Sequence, residues 1–182
     1  MNGINFHPFV GDKYYDSCYG IRVMVLGESH YGDGSDSACD FTQQVVKKHA
    51  LKAGQAFFSK LTNLLRGHID YPTEEERIEI WKHVAFYNYI QEFVGEGARI
   101  APTPEMWKAA YVPFLEVVKQ LEPNVILVLG SRLWDEVPEL PPAYPVEWCG
   151  IIHPSSRMAY EPSIAALAES IKKAGGIYPK KD

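Results

Sequence analysis

The run VILVL over Val125–Leu129, closed by Gly130, constrains the fold of this chain more than any other segment. Five consecutive apolar residues match one strand in length. Lacking polar alternation, such a strand must be covered on both faces, the condition of a parallel sheet between helix layers. Three other segments read as strands of the same sheet. Ile21–Gly27 (IRVMVLG) is β-branched and apolar and stops at a glycine. Val84–Ile90 (VAFYNYI) is aromatic-rich with Asn88 set inside it. Tyr144–Ile152 (YPVEWCGII) is weaker, interrupted by Pro145 and Gly150.

Helical periodicity fills the intervals. Thr42–Leu65 places apolar residues at Val45, Val46, Ala50, Leu51, Phe57, Phe58, Leu61, Leu64 and Leu65, one or two helices broken near Gly54. Thr73 with Glu76 three residues on is a capping-box signature. Thr103 followed by Pro104 opens a helix running to about Leu121, and Glu161–Ala174 is the last, stopping at Gly175 and Gly176. The alternation β-α-β-α-β-β-α implies an α/β class: a three-layer α/β/α sandwich on a central, mostly parallel four-stranded sheet, with residues 1–182 as one domain.

Composition narrows the function classes. With 46% hydrophobic and 23% charged residues, the chain can bury a core and is not disordered. No apolar run approaches a membrane span, and the N-terminus has neither the basic nor the apolar region of a secretory signal, so a cytoplasmic location without membrane contact is expected. Cys18, Cys39 and Cys149 are odd in number and far apart. They form no metal or redox motif, and no cofactor is expected. The net charge of −5 weighs against strong non-specific binding of nucleic acid, which needs a basic face.

In open α/β sheets ligands bind at the carboxyl ends of the strands. Three polar motifs fall there: Gly27-Glu28-Ser29-His30-Tyr31, Asn88, and the H-P-S-S run of residues 153–156. A nucleophile elbow at Ser29 would need glycine where Tyr31 stands, and a plain capping loop is the simpler alternative. In the third motif Pro154 restricts the loop, serine hydroxyls can meet a phosphate, and His153 can donate to an oxygen that gains charge.

Together these motifs resemble the uracil-DNA glycosylase superfamily, and its bacterial and archaeal iron–sulfur branch in particular. VMVLGESHYG is similar to that branch's strand and G-E-x-P-G loop. Phe41 lies 12 residues after Ser29, the spacing of the family's base-stacking phenylalanine, and FYNYI resembles the strand bearing its base-reading asparagine. The stretch from Ala101 through Pro113 to Gly130 follows the family's helix-then-strand pattern, and HPSSRM (His153–Met158) matches its H-P-S loop. The resemblance spans roughly Ile21–Lys173 and implies an enzyme that hydrolyses the N-glycosidic bond of a flipped-out uracil or related base in DNA. It implies Asn88 reading the base edge, Phe41 stacking on the base, and His153 stabilising charge on the leaving base. Ser155 and Ser156 would contact phosphate, and Arg157 or Met158 would fill the gap left in the duplex.

The departures from the family pattern are specific. Ser29 stands where other branches place an aspartate or asparagine to position water, which leaves Glu28 as the candidate for orienting it. His30 replaces a proline. Tyr31 replaces a glycine and resembles the tyrosine with which one branch excludes the thymine methyl group. The four cluster cysteines are missing, and the Asp33–Asp40 loop is acidic. Two rival functions follow: a family member that binds a nucleobase, nucleotide or nucleic acid without catalysis, and a hydrolase unrelated to nucleic acid, since G-E-S-H is similar to the G-E-x-x-H of erythromycin-esterase-like proteins.

Overall fold

The computed structural model describes residues 3–32, 38–97 and 100–179. Its elements in chain order are β1 (Phe9–Val10), β2 (Val23–Gly27), α1 (Phe41–His49), α2 (Ala56–Arg66), α3 (Glu74–Trp81), β3 (Val84–Asn88), α4 (Pro104–Leu121), β4 (Val125–Leu129), α5 (Ser131–Glu136), β5 (Glu147–Ile151) and α6 (Tyr160–Lys173). Residues in β2, β3 and β4 are buried throughout, and they sort by parity into two cores. Val23, Val25, Val84, Phe86, Val125 and Leu127 face a cluster completed by α1, α2, α3 and α6. Met24, Leu26, Ala85, Tyr87, Ile126 and Val128 face a second, completed by α4 and Leu133 of α5. Continuous apolarity thus has a direct cause: each face of the sheet carries its own helix layer.

The strand order is β1-β3-β2-β4-β5. From β2 the chain steps to β3, then crosses back over β2 to β4 and on to β5. Crossovers of one hand must change face when they reverse direction. They do: α1–α3 precede β3 on the first face, and α4 precedes β4 on the second. Connections leaving neighbouring strands therefore diverge at the carboxyl ends of β2, β3, β4 and β5, where open α/β sheets form their ligand crevice.

The sheet has five strands and is mixed, not the four-stranded sheet expected. The added strand β1 pairs antiparallel with β3 through Phe9↔Phe86 and Val10↔Ala85. At two residues it is too short for any periodicity, and it follows Pro8, a residue suited to an edge. Thr42–Leu65 divides into α1 and α2, with Gly54 at φ +133° in the connection. The Thr73 capping box forms: Thr73 Oγ1 accepts from the Glu76 N–H at 3.2 Å while the Glu76 carboxylate accepts from the Thr73 N–H at 2.8 Å. Thr103 caps α4 by accepting from the Met106 N–H. Among the described residues no helix is long and apolar enough to cross a membrane.

Candidate functional site

At the ends of β2 and β3, Gly27 pairs with Asn88 in register. A Cβ on Gly27 would sit 2.1 Å from Asn88 Oδ1, so the glycine makes room for the amide on the α1 side of the sheet. Asn88 is buried, and its Nδ2 is 3.1 Å from His30 Nδ1. His30 Nε2 in turn is 2.8 Å from Oγ1 of Thr42, in the first turn of α1. An amide nitrogen can only donate, so Nδ1 accepts and Nε2–H donates to the threonine. Burial lowers the His30 pKa to about 4, keeping the ring neutral at pH 7. Phe6, Phe41 and Phe93 pack around the imidazole at centroid distances of 5.2, 4.8 and 6.4 Å.

Backbone pairing fixes this loop. The Tyr89 and Ile90 N–H groups donate to the carbonyls of Gly27 and Glu28, and the Val94 N–H donates to that of His30. Gln91 ties the N-terminal arm in place: its Nε2 donates to the Asn88 carbonyl and its Oε1 accepts from the Phe6 N–H.

The ends of β4 and β5 are charged. The Glu28 carboxylate accepts both arms of the Arg132 guanidinium in α5, with Nε at 2.6 Å from Oε2 and Nη2 on Oε1. Such a fork fixes the plane of the carboxylate. His153 packs against Gly130, whose added Cβ would lie 3.2 Å from that of His153, and its ring lies against Phe57 of α2 at 5.3 Å. The Ser155 N–H donates to His153 Nδ1 at 3.2 Å, which leaves the proton of the neutral ring on Nε2. Burial lowers the His153 pKa. The Glu28 charge acts against that shift and the Arg132 charge with it, so the three groups share one electrostatic neighbourhood. Lys60 of α2 secures the loop by donating to the carbonyls of Pro154 and Ser156.

Comparison with protein-family models and with curated proteins gives no match.

The other residues singled out from the sequence distribute unevenly. Ser29 Oγ is buried without a hydrogen-bond partner among the described residues, an orphan hydroxyl beside Glu28 in the chain. Tyr31 is exposed. Phe41 is half-buried in the aromatic cluster. Ser155, Ser156 and Arg157 are exposed, whereas Met158 lies in the core on the α6 side. A thioether enclosed there has no reach into solvent, so Arg157 is the member of the pair placed to meet a partner. Of the acidic loop Asp33–Asp40, residues 33–37 lie outside the described residues.

Arg132, Thr42, Phe6, Phe93 and Phe57 all touch the candidate residues and were not legible as site residues. Only Arg132 carried a usable signal, a cation just after the apolar strand that ends at Gly130. A cavity of about 850 Å³ is lined by Phe6, Phe93, Gly32, Gln91 and Gly95, and not by Glu28, Asn88 or His153.

Proposed function

We propose that this chain is a DNA base glycosylase with a uracil-DNA glycosylase-like fold, hydrolysing the N-glycosidic bond of a flipped-out uracil or related base. The observation that carries the proposal is the state of His153: a neutral ring at a strand end, its Nδ1 used by the Ser155 N–H, its Nε2–H left as donor, beside a clamped carboxylate. Glycosidic cleavage leaves negative charge on the base, and a preorganised N–H donor stabilises that charge as it develops. Glu28, held in one plane by Arg132, orients the attacking water, with the Ser29 hydroxyl, buried and without a hydrogen-bond partner among the described residues, next to it in the chain. Asn88 reads the base edge against Phe41, and Ser155, Ser156 and Arg157 face the DNA backbone in a cytoplasmic repair role.

Incubation with labelled oligonucleotides containing uracil, hypoxanthine or a mismatch, followed by cleavage of abasic sites, is expected to show uracil excision. No excision from any of them would remove the proposal. A second reading, a nucleobase-binding protein without catalysis, is favoured by one observation: both oxygens of the Glu28 carboxylate are already engaged by Arg132. Binding of uracil-containing DNA without excision would select it.

A further inference from the structure

His30 meets the requirements of a bound base from within the chain. It is a planar nitrogen heterocycle, 5% exposed, with one nitrogen on the Asn88 amide and the other on Thr42 Oγ1. Its ring is walled by Phe6, Phe41 and Phe93. An extruded pyrimidine asks for the same things: a donor for its exocyclic oxygen, flat apolar walls and exclusion of water. Asn88 has one amide nitrogen facing this space, and Phe41 is closed in by His30, Phe6 and Phe93 at 4.8, 5.9 and 5.0 Å. A base on Asn88 at hydrogen-bond distance and packed on Phe41 would overlap the imidazole. The His30 carbonyl is pinned by the Val94 N–H, so the side chain rather than the loop has to move.

We infer that His30 is an internal occupant of the base subsite, latched by Thr42, and that a pyrimidine enters only as the imidazole swings out. This rests on the reading of Asn88 and Phe41 as the base subsite. Apparent affinity for a base is then reduced by the fraction of molecules in which the ring is out. Selectivity follows as well. A base must replace the hydrogen bond to Asn88 that it displaces, or leave a buried amide unpaired.

Calorimetric titration of the full chain with free uracil tests the inference, with free imidazole as a second probe. His30→Ala is expected to bind uracil at least ~10-fold more tightly than the parent, to bind imidazole, and to exchange one for the other. Adding Asn88→Ala to that variant is expected to abolish the gain. Thr42→Val keeps the side-chain shape and removes only the latch. It is expected to tighten uracil binding about five-fold, the worth of one buried hydrogen bond, and it decides the matter if His30→Ala does not fold. Uracil affinity no higher than the parent's in folded His30→Ala, or failing that in Thr42→Val, overturns the inference. So does a His30→Ala protein that takes up imidazole but not uracil. Excision is read separately. Tighter uracil binding with no excision by parent or variant upholds the occupant and removes the glycosylase reading. Excision by the parent with no tighter binding by His30→Ala does the reverse.

Discussion

The two halves of the strand-end crevice are built on opposite terms. At the β2–β3 end, His30, Asn88 and Thr42 are buried and uncharged, and both imidazole nitrogens are paired inside the protein. At the β4–β5 end, Arg132 and Ser155 are exposed, Glu28 is partly so, and His153 keeps one N–H unshared among the described residues. Hydrogen bonds in a dry environment are costly to break, because the abandoned partner is left unsatisfied. Charged pairs at the surface contribute little to folding, since water and salt screen them. The first half should therefore govern stability and access, and the second half chemistry. Substitutions that fail to separate in this way would dissolve the distinction.

The largest separation is expected from His153→Ala. On the proposed glycosylase function its Nε2–H matters chiefly as charge develops on the leaving base, so single-turnover excision should fall about 100- to 1,000-fold while DNA affinity and folding stability change little. A variant that excised uracil at the parent rate would show His153 to be a loop brace.

His30 should dominate the acid limb of stability. Unfolded, it takes up a proton near its ordinary 6.5; folded, only at about 4. Between these values the unfolded state binds more protons, so stability falls as pH drops from about 6.5 to about 4 and levels off below. The loss attributable to this group is at most about 3 kcal/mol. Urea unfolding at pH 7, 5.5 and 4.5 should give a steeper decline for the parent than for His30→Asn. Parallel curves would mean the ring is not held neutral by burial.

The same contrast explains what the sequence could and could not disclose. Val23–Gly27, Val84–Asn88 and Val125–Leu129 were readable because burial on both faces leaves no polar alternation to confuse. The Thr73 and Thr103 caps were readable because their partners lie three residues away. The Asn88–His30 and Glu28–Arg132 pairs join residues 58 and 104 positions apart, and no local pattern announces such a contact. His30 was visible only as a substitution for proline, and nothing local shows that its ring would turn inward onto Asn88. Met158 looked like its neighbours in the H-P-S-S-R-M run, yet it turns into the core, because the loop there is already re-entering the layer that carries α6. β1 and α5 leave no sequence signal for a plainer reason, being too short to repeat a period.

A smaller effect tests the closed half from its backbone. Gly27→Ala would bring a methyl group to 2.1 Å from Asn88 Oδ1 and 3.2 Å from Phe86 Cζ. Both neighbours are buried, so relief requires the amide to turn away from His30. The expected cost is about 1–3 kcal/mol of stability, the usual range for overpacking, read as a lower urea midpoint at unchanged slope. A neutral result would mean that Asn88 adapts freely and does not hold the imidazole.

The smallest stability effect belongs to Arg132→Gln, and it is the sharpest test of the open half. The Arg132 side chain is 46% exposed, so water can replace it beside Glu28, which is 13% exposed, and the substitution should cost about 1 kcal/mol of folding stability. Its importance lies in geometry. Two parallel hydrogen bonds fix the carboxylate plane, whereas an amide supplies a donor to one oxygen and leaves the other free to rotate. Excision should therefore drop about 10-fold with the unfolding midpoint almost unmoved, since positioning effects on a reacting water are of at least this order. Arg132→Lys separates charge from shape. Lysine keeps the cation but has no planar fork, so it should be as slow as glutamine if orientation of Glu28 is what counts, and near the parent rate if charge alone counts. If both variants lost stability yet excised uracil normally, the Glu28–Arg132 pair would be a structural brace, and the division between the two halves of the crevice would fail at the point where it is most specific.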